Sequence, residues 1–146
     1  MFFQWHPTWA GCVIVLACLV AGCGPKEISG TKLKGQLLKD GKPVAPARGE
    51  RFISVIFERV EPAEKQLVRS GGRVQSDGSF TVEGQMAKGT PPGKYEVRIH
   101  AEVSGDGESR FAHLFADGKT PFMADVTADV DQFFVIDVGT KTITKK

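Results

Sequence analysis

Pro91-Pro92-Gly93-Lys94-Tyr95-Glu96-Val97-Arg98-Ile99-His100 is the stretch that decides the fold class. Proline fixes φ and glycine accepts conformations closed to other residues, so Pro91-Pro92-Gly93 reads as a rigid turn. Beyond it the side chains alternate. Tyr95, Val97 and Ile99 are apolar, while Glu96, Arg98 and His100 are polar. That period of two is the mark of a strand with one face on a core and one in water. The stretch predicts a strand over residues 94–103.

The same signals recur on both sides of it. Residues 32–38 predict a first strand, and Asp40-Gly41 a tight turn that leads out through Lys42-Pro43-Val44. Residues 51–59, Arg-Phe-Ile-Ser-Val-Ile-Phe-Glu-Arg, are β-branched and aromatic with both faces partly apolar, which predicts a central strand covered on both sides. A loop or one short helical turn is expected over 60–66. Residues 67–75 form another strand, with a bulge expected at Gly71-Gly72. Asp77-Gly78 is the next hairpin turn, and after it Phe80 and Val82 point one way and Ser79, Thr81 and Glu83 the other. Phe134, Ile136 and Val138 repeat the pattern with Asp137 outward, and weaker strands are expected over 123–128 and 140–144. No three-turn window after residue 30 carries an apolar stripe at helical spacing. The chain is thus expected to be all-β, a seven-stranded Greek-key β-sandwich formed by a single domain over residues 31–146.

The N-terminus reads differently. Residues 1–22 contain no Lys, Arg, Asp or Glu, and Trp9 to Gly22 is an apolar run of about 14 residues. That suits the apolar core of an export signal and falls short of the roughly 20 residues a bilayer span needs. The run ends Leu19-Val20-Ala21-Gly22-Cys23, then Gly24-Pro25-Lys26. It resembles a bacterial lipobox. The resemblance implies cleavage before Cys23, thioether attachment of a diacylglyceryl group to its thiol, and palmitate-type acyl chains in a membrane. Two or three chains hold a protein stably where one does not. On this reading residues 1–22 are a lipoprotein signal peptide and 23–30 a short tether. The segment before Trp9 departs from the pattern, since it lacks the usual Lys or Arg. The alternative is one membrane-spanning helix over residues 2–22, against which Gln4, His6 and Pro7 count. Both readings place the domain outside the cytoplasm, anchored in the cell envelope.

Residues 32–100 also resemble the transthyretin-like (prealbumin-like), carboxypeptidase regulatory-like β-sandwich. The matching features are Gly35, Asp40-Gly41-Lys42-Pro43-Val44, the strand ending at Phe57, Ser76-Asp77-Gly78-Ser79-Phe80, and Pro91-Pro92-Gly93-Lys94-Tyr95, in that order. The strand Phe133–Val138 sits where the family's last strand would. The resemblance implies a fold and no particular activity, because such a sandwich hosts many roles.

Composition narrows the function. With 19 Lys and Arg against 17 Asp and Glu, the charge is close to balanced and gives no footprint for nucleic acid. The three cysteines, Cys12, Cys18 and Cys23, all precede the domain, which excludes a disulfide framework or a cysteine zinc site within it. His100 and His113 stand in no metallopeptidase spacing, and no Gly-x-Ser-x-Gly elbow is present. The C-terminus, Thr142-Ile143-Thr144-Lys145-Lys146, lacks the Tyr-Arg-Gly-Ser ending of the related hydroxyisourate hydrolases. No enzyme, cofactor or metal is expected. His113 reads as an ordinary half-buried strand histidine, and Ser104-Gly105-Asp106-Gly107-Glu108-Ser109 as a solvated hairpin loop lacking calcium-loop spacing. Asp125, Asp129, Asp131 and Asp137 read as residues that keep strand edges soluble. Phe111, His113, Phe115 and Phe122 are core or, if exposed, a patch for an envelope protein or a glycan. The expected function is a non-catalytic envelope lipoprotein, structural or protein-interacting, with a glycan- or peptide-binding module as the alternative.

Overall fold

The computed structural model describes residues 30–60, 68–84, 89–128 and 131–146. Cys23, the lipobox residues Leu19, Val20, Ala21 and Gly22, the signal segment, nearly all of the tether, most of the 60–66 loop and Asp129 lie outside the described residues.

The chain is all-β. Its strands are β1 (Leu33–Lys39), β2 (Lys42–Pro43), β3 (Glu50–Arg59), β4 (Arg69–Val74), β5 (Ser79–Val82), β6 (Gly93–Val103), β7 (Phe122–Val126), β8 (Gln132–Asp137) and β9 (Thr142–Lys145). A single turn of 3-10 helix, Ala112–Phe115, lies between β6 and β7. The strands follow the order β7-β6-β3-β4-β5-β1-β8-β9, with β2 on β1, in a sheet nearly closed into a barrel. All pairs are antiparallel except β1 with β8, which run parallel.

Alternation sets the inner face. Leu33 and Leu37 of β1, Ile53, Val55 and Phe57 of β3, Tyr95, Val97 and Ile99 of β6, and Phe134 and Ile136 of β8 are all buried. Phe57 sits at the centre, its ring 5.7 Å from that of Phe134 and 6.3 Å from that of Tyr95. Tyr95 is wholly buried and its hydroxyl donates to the Pro91 carbonyl at 2.7 Å, so the Pro-Pro-Gly turn is fastened to the core by the residue that follows it. Burial pushes the Tyr95 phenol up, with the Arg59 guanidinium opposing.

The turns follow their chemistry. Asp40 and Gly41 both have positive φ, 53° and 76°, which is the two-residue turn that matches strand twist. Ser76-Asp77-Gly78 is a three-residue loop closed by Gln75 N–H donating to the Ser79 carbonyl at 2.7 Å, with Gly78 at φ 80°.

Three expectations are corrected. β3 is central, between β4 and β6, but its outer face is only partly covered: Phe52, Ser54, Ile56 and Glu58 are half-buried. Gly71-Gly72 is no bulge, since β3–β4 pairing runs unbroken from Ile53–Val74 to Glu58–Arg69. Gly72 allows a close approach, because a Cβ on it would collide with the Thr81 carbonyl oxygen of β5. The register shift falls instead in β3, between Glu50 and Phe52. Finally, residues 104–121 form a longer excursion than a hairpin loop. Ser104 to Glu108 are exposed, as expected, but the chain then folds back through the 3-10 turn before entering β7.

Candidate functional site

The aromatic residues at 111–122 divide. Phe111 and Phe122 are 4% and 0% exposed, and Phe115 is partly buried against the same core. They belong to the core alternative, and a patch built on Phe111 and Phe122 is ruled out because neither ring reaches the surface. His113 is exposed, and it lies on the 3-10 turn rather than in a strand.

The 104–121 excursion is tied to the outer face of the sheet. Arg110 Nε is 3.0 Å from Glu50 Oε1, and its Nη2 donates to the Ala45 carbonyl at 2.8 Å. Arg98 Nη2 donates to the Gly118 carbonyl at 3.0 Å, and the Ser109 hydroxyl accepts from Ala101 N–H at 2.9 Å. Between excursion and sheet a groove of 760 Å³ remains, lined by Ile56, Arg69, Arg98, His100, Ala112 and Phe115 among others. Its cations are already engaged. Glu58 lies 3.2 Å from both Arg69 Nε and Arg98 Nε, and Glu96 lies 3.5 Å from Arg98 Nη2.

A second groove, of 730 Å³, crosses the outer face where β3, β4, β5, β1 and β8 run side by side. Strand register places its side chains. Lys34 stands opposite Thr81 on one side and Phe133 on the other. Arg73 stands opposite Ser54, and the Val74–Phe80 pair sets Arg73 beside Thr81. Phe133, Lys34, Thr81, Arg73 and Ser54 therefore form one row across five strands. The Arg73 guanidinium lies over the Phe52 ring, 4.4 Å from its centroid. Phe133 is 37% exposed, one of three exposed large apolar side chains among the described residues, with Val60 and Met123. Among the described residues neither Lys34 nor Arg73 has a carboxylate at ion-pair distance. Glu83 also lines the groove. Gly71 faces it without a side chain, and a Cβ there would meet only ordinary contacts at 3.4 Å and beyond.

Several polar side chains with strong partners are architectural. Asp137 was expected to serve solubility. Its carboxylate instead accepts from four backbone N–H groups: Asp40 (3.0 Å), Gly41 (2.8 Å), Gly139 (2.9 Å) and Thr140 (3.2 Å). Burial alone would raise its pKa, but these donors outweigh burial and hold it below the usual carboxylate range. Gln132 is 3% exposed and grips Thr127 at both ends, its amide donating to the carbonyl at 2.7 Å and accepting from the N–H at 3.2 Å. His100 Nε2 is 3.4 Å from Glu102 Oε2, and among the described residues no group of three His, Cys, Asp or Glu could hold a metal ion. No helix among the described residues is long and apolar enough to cross a membrane.

The row through Lys34 and Arg73 was not singled out in the sequence, although a signal for it exists. If Phe134 and Ile136 face inward, Phe133 must face outward, and parity likewise turns Lys34 and Arg73 outward. Only the strand order brings the three together. Comparison with protein-family models, curated proteins and solved structures finds no match to this chain.

Proposed function

We propose that this chain is a non-catalytic lipoprotein of the cell envelope, held to a membrane through acyl chains on Cys23, with its β domain outside the cytoplasm as an interaction module. The observation that carries the anchor is the uncharged apolar run ending Leu19-Val20-Ala21-Gly22-Cys23. The finer fold proposed is a seven-stranded Greek-key sandwich of the transthyretin-like, carboxypeptidase regulatory-like kind, with β2 and β9 as additions. Support comes from the strand order, in which β7-β6-β3-β4 and β5-β1-β8-β9 meet at the short β4–β5 pairing, Val74 with Phe80. The inner faces of the two halves meet at Phe57 and Phe134. The β3–β6 neighbours are separated in sequence by β4 and β5, which is a Greek-key crossing.

The non-catalytic reading is supported by where the polar side chains are committed. Asp137 fastens turns, Gln132 joins strand ends, and Glu50 with Arg110 holds the excursion. A second reading, a binding module for a glycan or peptide, is favoured by the groove between Phe133 and Arg73. Membrane fractionation tests the first reading. The native chain is expected in the membrane fraction and Cys23→Ala in the soluble extracytoplasmic fraction. Equal membrane retention of both, or a cytosolic location, contradicts it.

A further inference from the structure

From the row of side chains across the outer face, we infer that the groove lined by Lys34, Thr81, Arg73 and Phe133 binds an acidic glycan, a chain of sugars bearing carboxylates. The inference rests on the ligand-binding reading proposed above and names its ligand class. The charge pattern carries it. Lys34 and Arg73 are both exposed and project from one face, and neither is neutralised by a carboxylate among the described residues. Against them the groove sets one acid, Glu83. The groove under the 104–121 excursion differs, because its two arginines share Glu58.

Arg73 is also oriented. Its guanidinium lies over the Phe52 ring, 4.4 Å from the centroid, a contact that restrains the side chain while its N–H groups stay available to a planar anion. Carboxylates suit those groups because they accept two parallel hydrogen bonds. At the other end Phe133 offers an exposed ring against which the C–H face of a sugar can pack. Between the two ends lies Thr81, with Ser79 and Gln75 beside it and Ser54 beyond Arg73, and these supply hydroxyl and amide groups for sugar hydroxyls. Phe133 and Arg73 stand three strand spacings apart, up to about 14 Å, which fits an oligomer rather than one sugar. Gly71 leaves the floor open where a side chain would have fitted.

An acidic peptide is the less favoured ligand. Extended peptides draw affinity from the backbone groups of a free strand edge. The groove is floored by β4, β5 and β1, each already paired on both sides, so no such edge is offered.

Titration calorimetry on the full chain purified in detergent tests the inference. The probes are oligogalacturonides, a neutral galacto-oligosaccharide of matched length, and poly-L-glutamate. Oligogalacturonides are expected to bind, more weakly as salt is raised, and the neutral oligomer is not. Lys34→Gln and Arg73→Gln should each weaken binding about tenfold or more, and Phe133→Ala should weaken it as well. All three positions lie outside the core, and far-UV circular dichroism checks that each variant keeps its sheet. Failure of oligogalacturonides to bind, equal binding of the neutral oligomer, or binding unchanged in all three variants overturns the inference. Tighter binding of poly-L-glutamate also overturns it, while leaving the ligand-binding reading standing. The anchor at Cys23 is read separately by fractionation, so neither result masks the other.

Discussion

Asp137 shows how one side chain can organise a corner of this molecule. It closes β8, and its carboxylate collects N–H groups from the Asp40-Gly41 turn and from the turn that starts β9. Because β1 and β8 run parallel, the ends of both strands arrive at the same rim, where one acceptor serves two turns. The folded pKa of this carboxyl lies below its unfolded value of about 4. Its stabilising effect is therefore present above about pH 4 and disappears as pH falls through the lowered folded value. Asp137→Ala is expected to destabilise the domain by about 1–2 kcal/mol at pH 7, the low end for charge-assisted bonds because the site is partly solvated. In urea titrations the gap between variant and wild type should narrow steadily below pH 4. An equal gap at pH 7 and pH 3 would show that the carboxylate charge is not what matters. At this scale the sequence was legible wherever a residue acts through its neighbours in the chain. Asp40-Gly41 declares its turn and Tyr95 its place in the core. Asp137 reads in the sequence as a soluble edge residue because its partners at 40 and 41 are nearly a hundred positions away.

At the scale of elements, period-two alternation carried the strands β1, β3, β5, β6 and β8, whose buried positions fall where the apolar residues alternate. Two features escape it, for different reasons. Glycine within a strand signals either a bulge or a close neighbour, and only the packing of β4 on β5 decides between them. Gly72 faces the Thr81 carbonyl and Gly71 faces open groove. The pair gives a paired expectation. Gly72→Ala should cost about 3 kcal/mol by forcing β4 from β5. Gly71→Ala should be neutral or stabilise by about 0.5 kcal/mol, through the reduced freedom of the unfolded chain. Thermal denaturation of the two variants checks this, and equal losses would place the close approach elsewhere. The 3-10 turn leaves no mark in the sequence because four residues are too few to show a helical period. Phe111-Ala112-His113-Leu114-Phe115 is apolar at every position but the middle one and shows neither period, while the backbone coils so that Phe111 and Leu114 go inward and His113 goes out.

For the whole molecule, the sheet approaches closure because β7 and β9, its two ends in strand order, come together at one rim. Lys145 Nζ donates to the Thr127 hydroxyl at 2.7 Å, while Thr31 Oγ1 and Gln132 donate to the Thr127 carbonyl at 3.1 and 2.7 Å. Bringing the end strands together leaves less free strand edge to pair with other chains. The core within is continuous from β1 to β8 and takes in Phe111, Leu114 and Phe122 from the last third of the chain. Phe122→Ala should therefore cost about 3–5 kcal/mol, and His113→Ala less than about 0.5 kcal/mol, as read by denaturant midpoints. A small loss at Phe122 would detach that segment from the core. All-β character was visible in the composition of the strands. The meeting of β7 with β9 was not, since Thr127 and Lys145 carry no mark that pairs them. The envelope role rests on the N-terminal segment, and intact-mass measurement of the chain purified in detergent from the membrane fraction tests it most directly. A chain that begins at Cys23 and carries the added mass of two or three acyl groups is the expected result; a chain that still begins at Met1 with no added mass would contradict it.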